Sequence, residues 1–179
     1  ATQAARLAYW SGVLQELRTI PKAELPAEDL VNYAIYEAQV EALEASARFR
    51  DYEKPFNSDS SFWAEVTGAA QRPLRSIADY RGYLRLLADI PRYFAEQTVN
   101  MRVGLSRGFS VPRVTLTGRD ASIATVADAT DHGKNPFYAP FTAMPATFTE
   151  AEKADLAAQG VKAIRESVLP AYKSLLTFM

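Results

Sequence analysis

Along this chain the apolar side chains return every third or fourth position, and runs that alternate apolar with polar are missing. From Ala1 to Leu17, residues Leu7, Trp10, Val13, Leu14 and Leu17 fall on one side of a helical wheel. Pro21 and Pro26 punctuate the link to a longer helix over Glu28 to Phe49, where Tyr33, Tyr36, Val40, Leu43 and Ala47 form a continuous apolar seam. Pro55 and a polar cluster then turn "YEKPFNSDSSFW" into a loop. Ser76 with Asp79 has the form of a capping box, opening a helix with Ile77, Tyr80, Leu84 and Leu87 on one face. Pro91 suits the first turn of a separate helix, because its missing N–H would have no partner there. That helix carries Phe94, Thr98, Met101 and Leu105 and stops near Gly108.

Further short helices fit Pro112 to Leu116 and "ASIATVADAT". Thr149 with Glu152 is a second capping box, and the helix after it carries Val161, Ile164, Val168 and Leu175, with a kink expected at Pro170. No alternating run is bounded by hairpin turn pairs, so no sheet is expected. The pattern predicts an all-α fold, an irregular helical bundle with long proline- and aromatic-rich loops, in a single domain over residues 1–179. The last helix runs apolar into Met179 and the chain starts without methionine; both ends are therefore expected to be cuts in a longer protein.

Composition narrows the functional classes. A net charge of −1 gives no basic footprint for nucleic acid, and no apolar run has the length of a transmembrane segment. Without cysteine there is no disulfide and no thiolate chemistry, which is compatible with both cytoplasm and an oxidising periplasm. His132 is the one histidine, so no two-histidine metal motif can form.

Four clusters invite a chemical reading. Glu37, Glu41 and Glu44 share a helix face, as in a carboxylate-bridged metal site, but no histidine stands three residues after any of them. Arg48, four residues past Glu44, favours a solvated, ion-paired face. "DATDHGKNP" gathers two aspartates with His132 but lacks the ligand positions of a calcium loop, which leaves a turn as the default. "MRVGLSRGFSVP" offers Arg102 and Arg107 as carboxylate holders in a cleft, against the simpler reading of two glycines permitting close packing. "KNPFYAPFTAMP" is either a hydrophobic plug held extended by its prolines or the rim of a peptide-sized groove, with Asn135 and Tyr138 as polar handles beside Phe137.

Four stretches carry a resemblance in their order and approximate spacing: "EALEASARFRDYEKPFNSDSSFW", "YRGYLRLLADIPRYFAEQTVNMRVGLSRGFSVPRVTL", "NPFYAPFTAMP" and "VLPAYKSLLTFM". Together they resemble the bacterial domain-of-unknown-function 885 family, a group similar to gluzincin-type zinc metallopeptidases. The resemblance implies a larger, mostly helical, exported or lipid-anchored protein, placing the chain in the periplasm or beyond. This chain would be its amino-terminal half and one wall of the substrate cleft. The family's His-Glu-x-x-His helix lies downstream, and this chain has no such motif. The resemblance therefore implies no catalytic and no metal-binding residue here, with zinc held by the remainder of the parent protein. Its partners would be that carboxy-terminal remainder and a peptide, which Asn135, Phe137, Tyr138 and Arg107 would line. The rival reading is a stand-alone helical interaction module without enzymatic activity, docking a partner helix on the aromatic loop or the last helix. A fragment is expected to expose an apolar edge along Val168, Leu175 and Phe178.

Overall fold

The computed structural model describes residues 2–57 and 59–179. Ala1, the expected first residue of the first helix, and Ser58, within the expected loop, lie outside the described residues. Among the described residues there are seven α-helices and no strand, only an isolated bridge between Phe56 and Ser61. The all-α expectation holds. The chain divides into two compact units, residues 1–52 and 53–179.

The first unit is a helical hairpin of α1 (Gln3–Leu17) and α2 (Ala27–Phe49). Thr2 caps α1 by accepting from the Ala5 N–H at 3.3 Å. Leu14 and Leu17 of α1 meet Tyr33 and Val40 of α2 in its small core, and the Tyr33 hydroxyl donates to the Leu17 carbonyl at 3.2 Å. Tyr36 and Leu43 stay exposed. Of the apolar seam expected on α2, the edge carrying Tyr33 and Val40, seven residues apart and so nearly on one line of the helix, is the part that is buried.

In the second unit α3 (Phe62–Gly68), α4 (Ile77–Ser106), α5 (Arg119–Ala127), α6 (Glu150–Ala163) and α7 (Leu169–Phe178) enclose an aromatic core. Helix α4 forms its axis, burying Tyr80, Tyr83, Leu87, Ile90, Phe94 and Met101 along one face. Both capping boxes form, at Ser76 with Asp79 and at Thr149 with Glu152. Backbone donors at Arg75 and Ser76 hold the Asp79 carboxyl below its ordinary pKa, and the Thr149 N–H and hydroxyl do the same for Glu152.

Three elements differ from the expectation. Pro91 does not open a separate helix but sits inside α4. The lost ladder bond is outweighed because Leu87, Ile90 and Phe94 keep one buried face running straight past it. Helix α3 is an addition: Ser61 caps it by accepting from the Ala64 N–H at 3.4 Å, and Phe62 and Trp63 fill its buried side. The edge expected along Val168, Leu175 and Phe178 is not an open one. Val168 and Leu175 are buried in the core and Phe178 is partly buried against it, because α7 packs on α4 and α5 rather than lying outside them. At Pro170 the expected break takes the form of a π-turn over Ile164–Val168, which absorbs the missing N–H.

Tyrosine hydroxyls pin this unit together. Tyr172 of α7 donates to the Trp63 carbonyl at 2.8 Å and lies 2.8 Å from the Thr67 hydroxyl. Tyr80 and Tyr83 of α4 donate to the Pro140 and Phe137 carbonyls at 2.8 and 2.9 Å. Burial pushes the Tyr83 and Tyr172 phenols far above the ordinary value of 10.0. A phenol raised in the folded state contributes its full stability below the unfolded pKa and loses it as pH climbs toward the folded one. In an alkaline absorbance titration of the nine tyrosines, Tyr83 and Tyr172 should ionise only together with loss of helical ellipticity, above about pH 10. Ionisation of all nine with the helices intact would contradict their burial.

Candidate functional site

The aromatic–proline stretch folds as a 3₁₀ segment, Pro136–Phe141, seated in the second unit. Asn135 is buried and caps it, accepting from the Phe137 N–H at 3.1 Å while donating to the Val126 carbonyl at 3.4 Å. The Phe137 ring is fully buried, 5.7 Å from that of Tyr172. Tyr138 is only partly buried and leans on Phe141 with ring centroids 5.5 Å apart. The polar atoms of Asn135 are thus engaged with backbone, and of these three side chains only Tyr138 reaches the surface.

Arg107 lies elsewhere, at the carboxy-terminal end of α4. There the helix closes in a Schellman motif: the Phe109 N–H bonds the Gly104 carbonyl at 2.8 Å and the Gly108 N–H bonds the Leu105 carbonyl at 3.1 Å. Gly108 takes the left-handed conformation that the motif requires, at φ 74°. Gly104 is needed for a different reason. A Cβ there would stand 2.7 Å from the Phe109 carbonyl oxygen and 2.8 Å from that of Glu53. This close approach brings the Glu53–Phe56 segment against the end of α4.

Glu53 is buried and its carboxylate accepts from the Arg107 guanidinium, whose side chain remains 38% exposed. Glu53 lines a pocket of about 140 Å3, walled by Phe56, Met101, Leu105, Phe109, Val111, Leu116, Phe178 and Met179, with Lys54 and Ser110 as further polar members. Phe109 carries two cations: the Arg107 guanidinium carbon lies 4.3 Å and the Lys54 ammonium 4.6 Å from its ring centroid. The Arg102 guanidinium stands 5.4 Å from the centre of the Phe178 ring. No carboxylate pairs with Lys54 or Arg102 among the described residues. The site can therefore hold a small apolar group and attract an anion beside it.

Of the sequence-derived site residues, Asn135, Phe137 and Tyr138 share the aromatic segment, and Arg107 stands apart, reaching this pocket only through two of its lining residues, Glu53 and Phe109. Sequence reasoning missed Glu53, Lys54 and Phe109. Glu53 and Arg107 are 54 residues apart, with no local pattern to join them, whereas the glycine stop at Gly108 did signal the helix end that places Phe109.

The remaining clusters carry structure. Glu37 pairs with Lys22 at 2.8 Å and with Arg18 at 3.5 Å, Glu41 with Arg18 at 2.7 Å, and Glu44 with Arg48 at 3.6 Å. The Lys22 hydrogen bond holds the Glu37 carboxyl below the usual range. Asp131 accepts from the Gly133 N–H at 2.9 Å, closing the turn around His132. Among the described residues no three His, Cys, Asp or Glu side chains stand close enough to share a metal ion. With one histidine and no cysteine, this donor set does not fit zinc. No described helix is long and apolar enough to cross a membrane.

The profile of a family described as "Bacterial protein of unknown function (DUF885)" matches residues 1–179. No curated protein and no solved structure matches the chain.

Proposed function

The chain belongs to this bacterial family along its whole length, and from that premise we propose that it is a non-catalytic helical segment of a zinc metallopeptidase of the gluzincin type, exported from the cytoplasm, contributing binding surface to the substrate cleft. The observation that carries the binding role is the cation-rimmed apolar pocket at the end of α4. A peptide offers both partners such a pocket needs, an apolar side chain and a nearby carboxylate. The zinc-activated water and its general base would belong to residues outside this chain. What this chain's residues do is bind and orient.

The reading is tested on the gene and on the protein. The reading frame past the codon for Met179 is expected to continue into a His-Glu-x-x-His sequence. The 179-residue chain by itself is expected to take up no stoichiometric zinc in equilibrium dialysis. A stop codon directly after Met179, or one tightly held zinc per chain, would overturn the assignment.

A further inference from the structure

We propose that the pocket at the end of α4 binds the carboxy-terminal residue of a peptide, with its apolar side chain inside and its free α-carboxylate at the Lys54 ammonium. The volume sets the size of the side chain. A dry apolar cavity of roughly 150 Å3 accepts a benzene-sized molecule, and this pocket holds about 140 Å3. One leucine or phenylalanine side chain fits against Phe56 and Met101, and a long acyl chain does not.

The charges set the other half of the ligand. Lys54, Arg102 and Arg107 each stand over an aromatic wall of the pocket, and the side-chain carboxylate among the lining residues is that of Glu53, already bound to Arg107. Three cationic side chains against one side-chain carboxylate leave two positive charges in excess, of which the α-carboxylate of Met179 offsets one in the 179-residue chain, so the balance around the apolar space stays positive. An amino terminus would be repelled there, and a neutral apolar group would leave the charges unmatched. Lys54 is the best placed of the three. It is half-buried on the Phe109 ring and has no ion pair among the described residues, so a carboxylate beside it forms a charge-assisted bond with part of the desolvation already spent. The inference rests on the peptide-binding reading only for the source of that carboxylate.

The experiment is a titration of the ¹⁵N-labelled 179-residue chain, followed by NMR, with N-acetyl-alanyl-leucine, its carboxy-terminal amide, and octanoate. The free acid is expected to shift the amides of Met101, Phe109 and Leu116 and to bind at least about tenfold more tightly than the amide. Lys54→Gln should lower the acid to the affinity of the amide without changing the amide, and Lys54→Arg should keep the preference for the acid. Equal binding of acid and amide, an unaffected Lys54→Gln variant, shifts mapping to other residues, or tighter binding of octanoate would each overturn the proposal. A stop codon after Met179 with acid-selective binding intact would remove the peptidase reading and leave the pocket. An open frame with no acid selectivity would do the reverse.

Discussion

Replacing Phe137 by alanine is expected to lower the unfolding free energy by about 3–5 kcal/mol, the range for a fully buried aromatic ring. The ring has no solvent exposure and packs on Tyr172, which in turn fixes α3 through the Trp63 carbonyl. Removing it opens a cavity where α4, α7 and the 3₁₀ segment converge, and the Tyr83 hydroxyl loses a well-held acceptor once the Phe137 carbonyl is free to move. Tyr138→Ala is the internal control. Its ring is only partly buried, so a loss of about 1 kcal/mol is expected. Urea denaturation of both variants measures the difference. Similar small losses in the two would mean that the segment sits loosely and that its aromatic side chains are available to a ligand.

That comparison also marks what the sequence made legible. The density of aromatics and prolines around Phe137 identified a rigid, non-helical element but left plug and groove as alternatives. Which ring faces inward is decided by Tyr80 and Tyr83, some 60 and 54 residues away, whose hydroxyls hold the Pro140 and Phe137 carbonyls. Local signals hold at both capping boxes, whereas the equally local Ser61 cap of α3 is hidden in a polar run that reads as loop. Ser76 and Thr149 cap the helices they were expected to cap, because a capping box is closed within four residues. Pro91 misled for the complementary reason: a local penalty was overruled by a buried face that spans the whole of α4. Glu53, Lys54 and Phe109 meet only once the loop before α3 folds back on the end of α4, and nothing within a short window encodes that return.

Gly104 is the residue on which that return depends, and Gly104→Ala is expected to destabilise the chain by about 2 kcal/mol despite its better helix propensity. Alanine gains about 1 kcal/mol over glycine inside a helix, yet its methyl group would stand 2.7 and 2.8 Å from two backbone carbonyl oxygens. Neither is the tip of a flexible side chain. One belongs to Phe109 in the Schellman turn and the other to Glu53, so relief requires moving one of the two segments that wall the pocket, and overpacking of that kind costs roughly 1–3 kcal/mol or more. Gly82 lies on the same helix with only the Arg85 side chain near its would-be Cβ, at 3.8 Å. Gly82→Ala should therefore stabilise by up to about 1 kcal/mol, and the opposite signs, read from thermal melts, separate packing from propensity. The two variants also part in binding. Shifting Glu53 carries Lys54 off the Phe109 ring, so Gly104→Ala should lose selectivity for a free carboxylate while Gly82→Ala retains it. If Gly104→Ala instead stabilised the protein and bound the acid normally, the approach of the Glu53 segment to α4 would not be what builds the pocket.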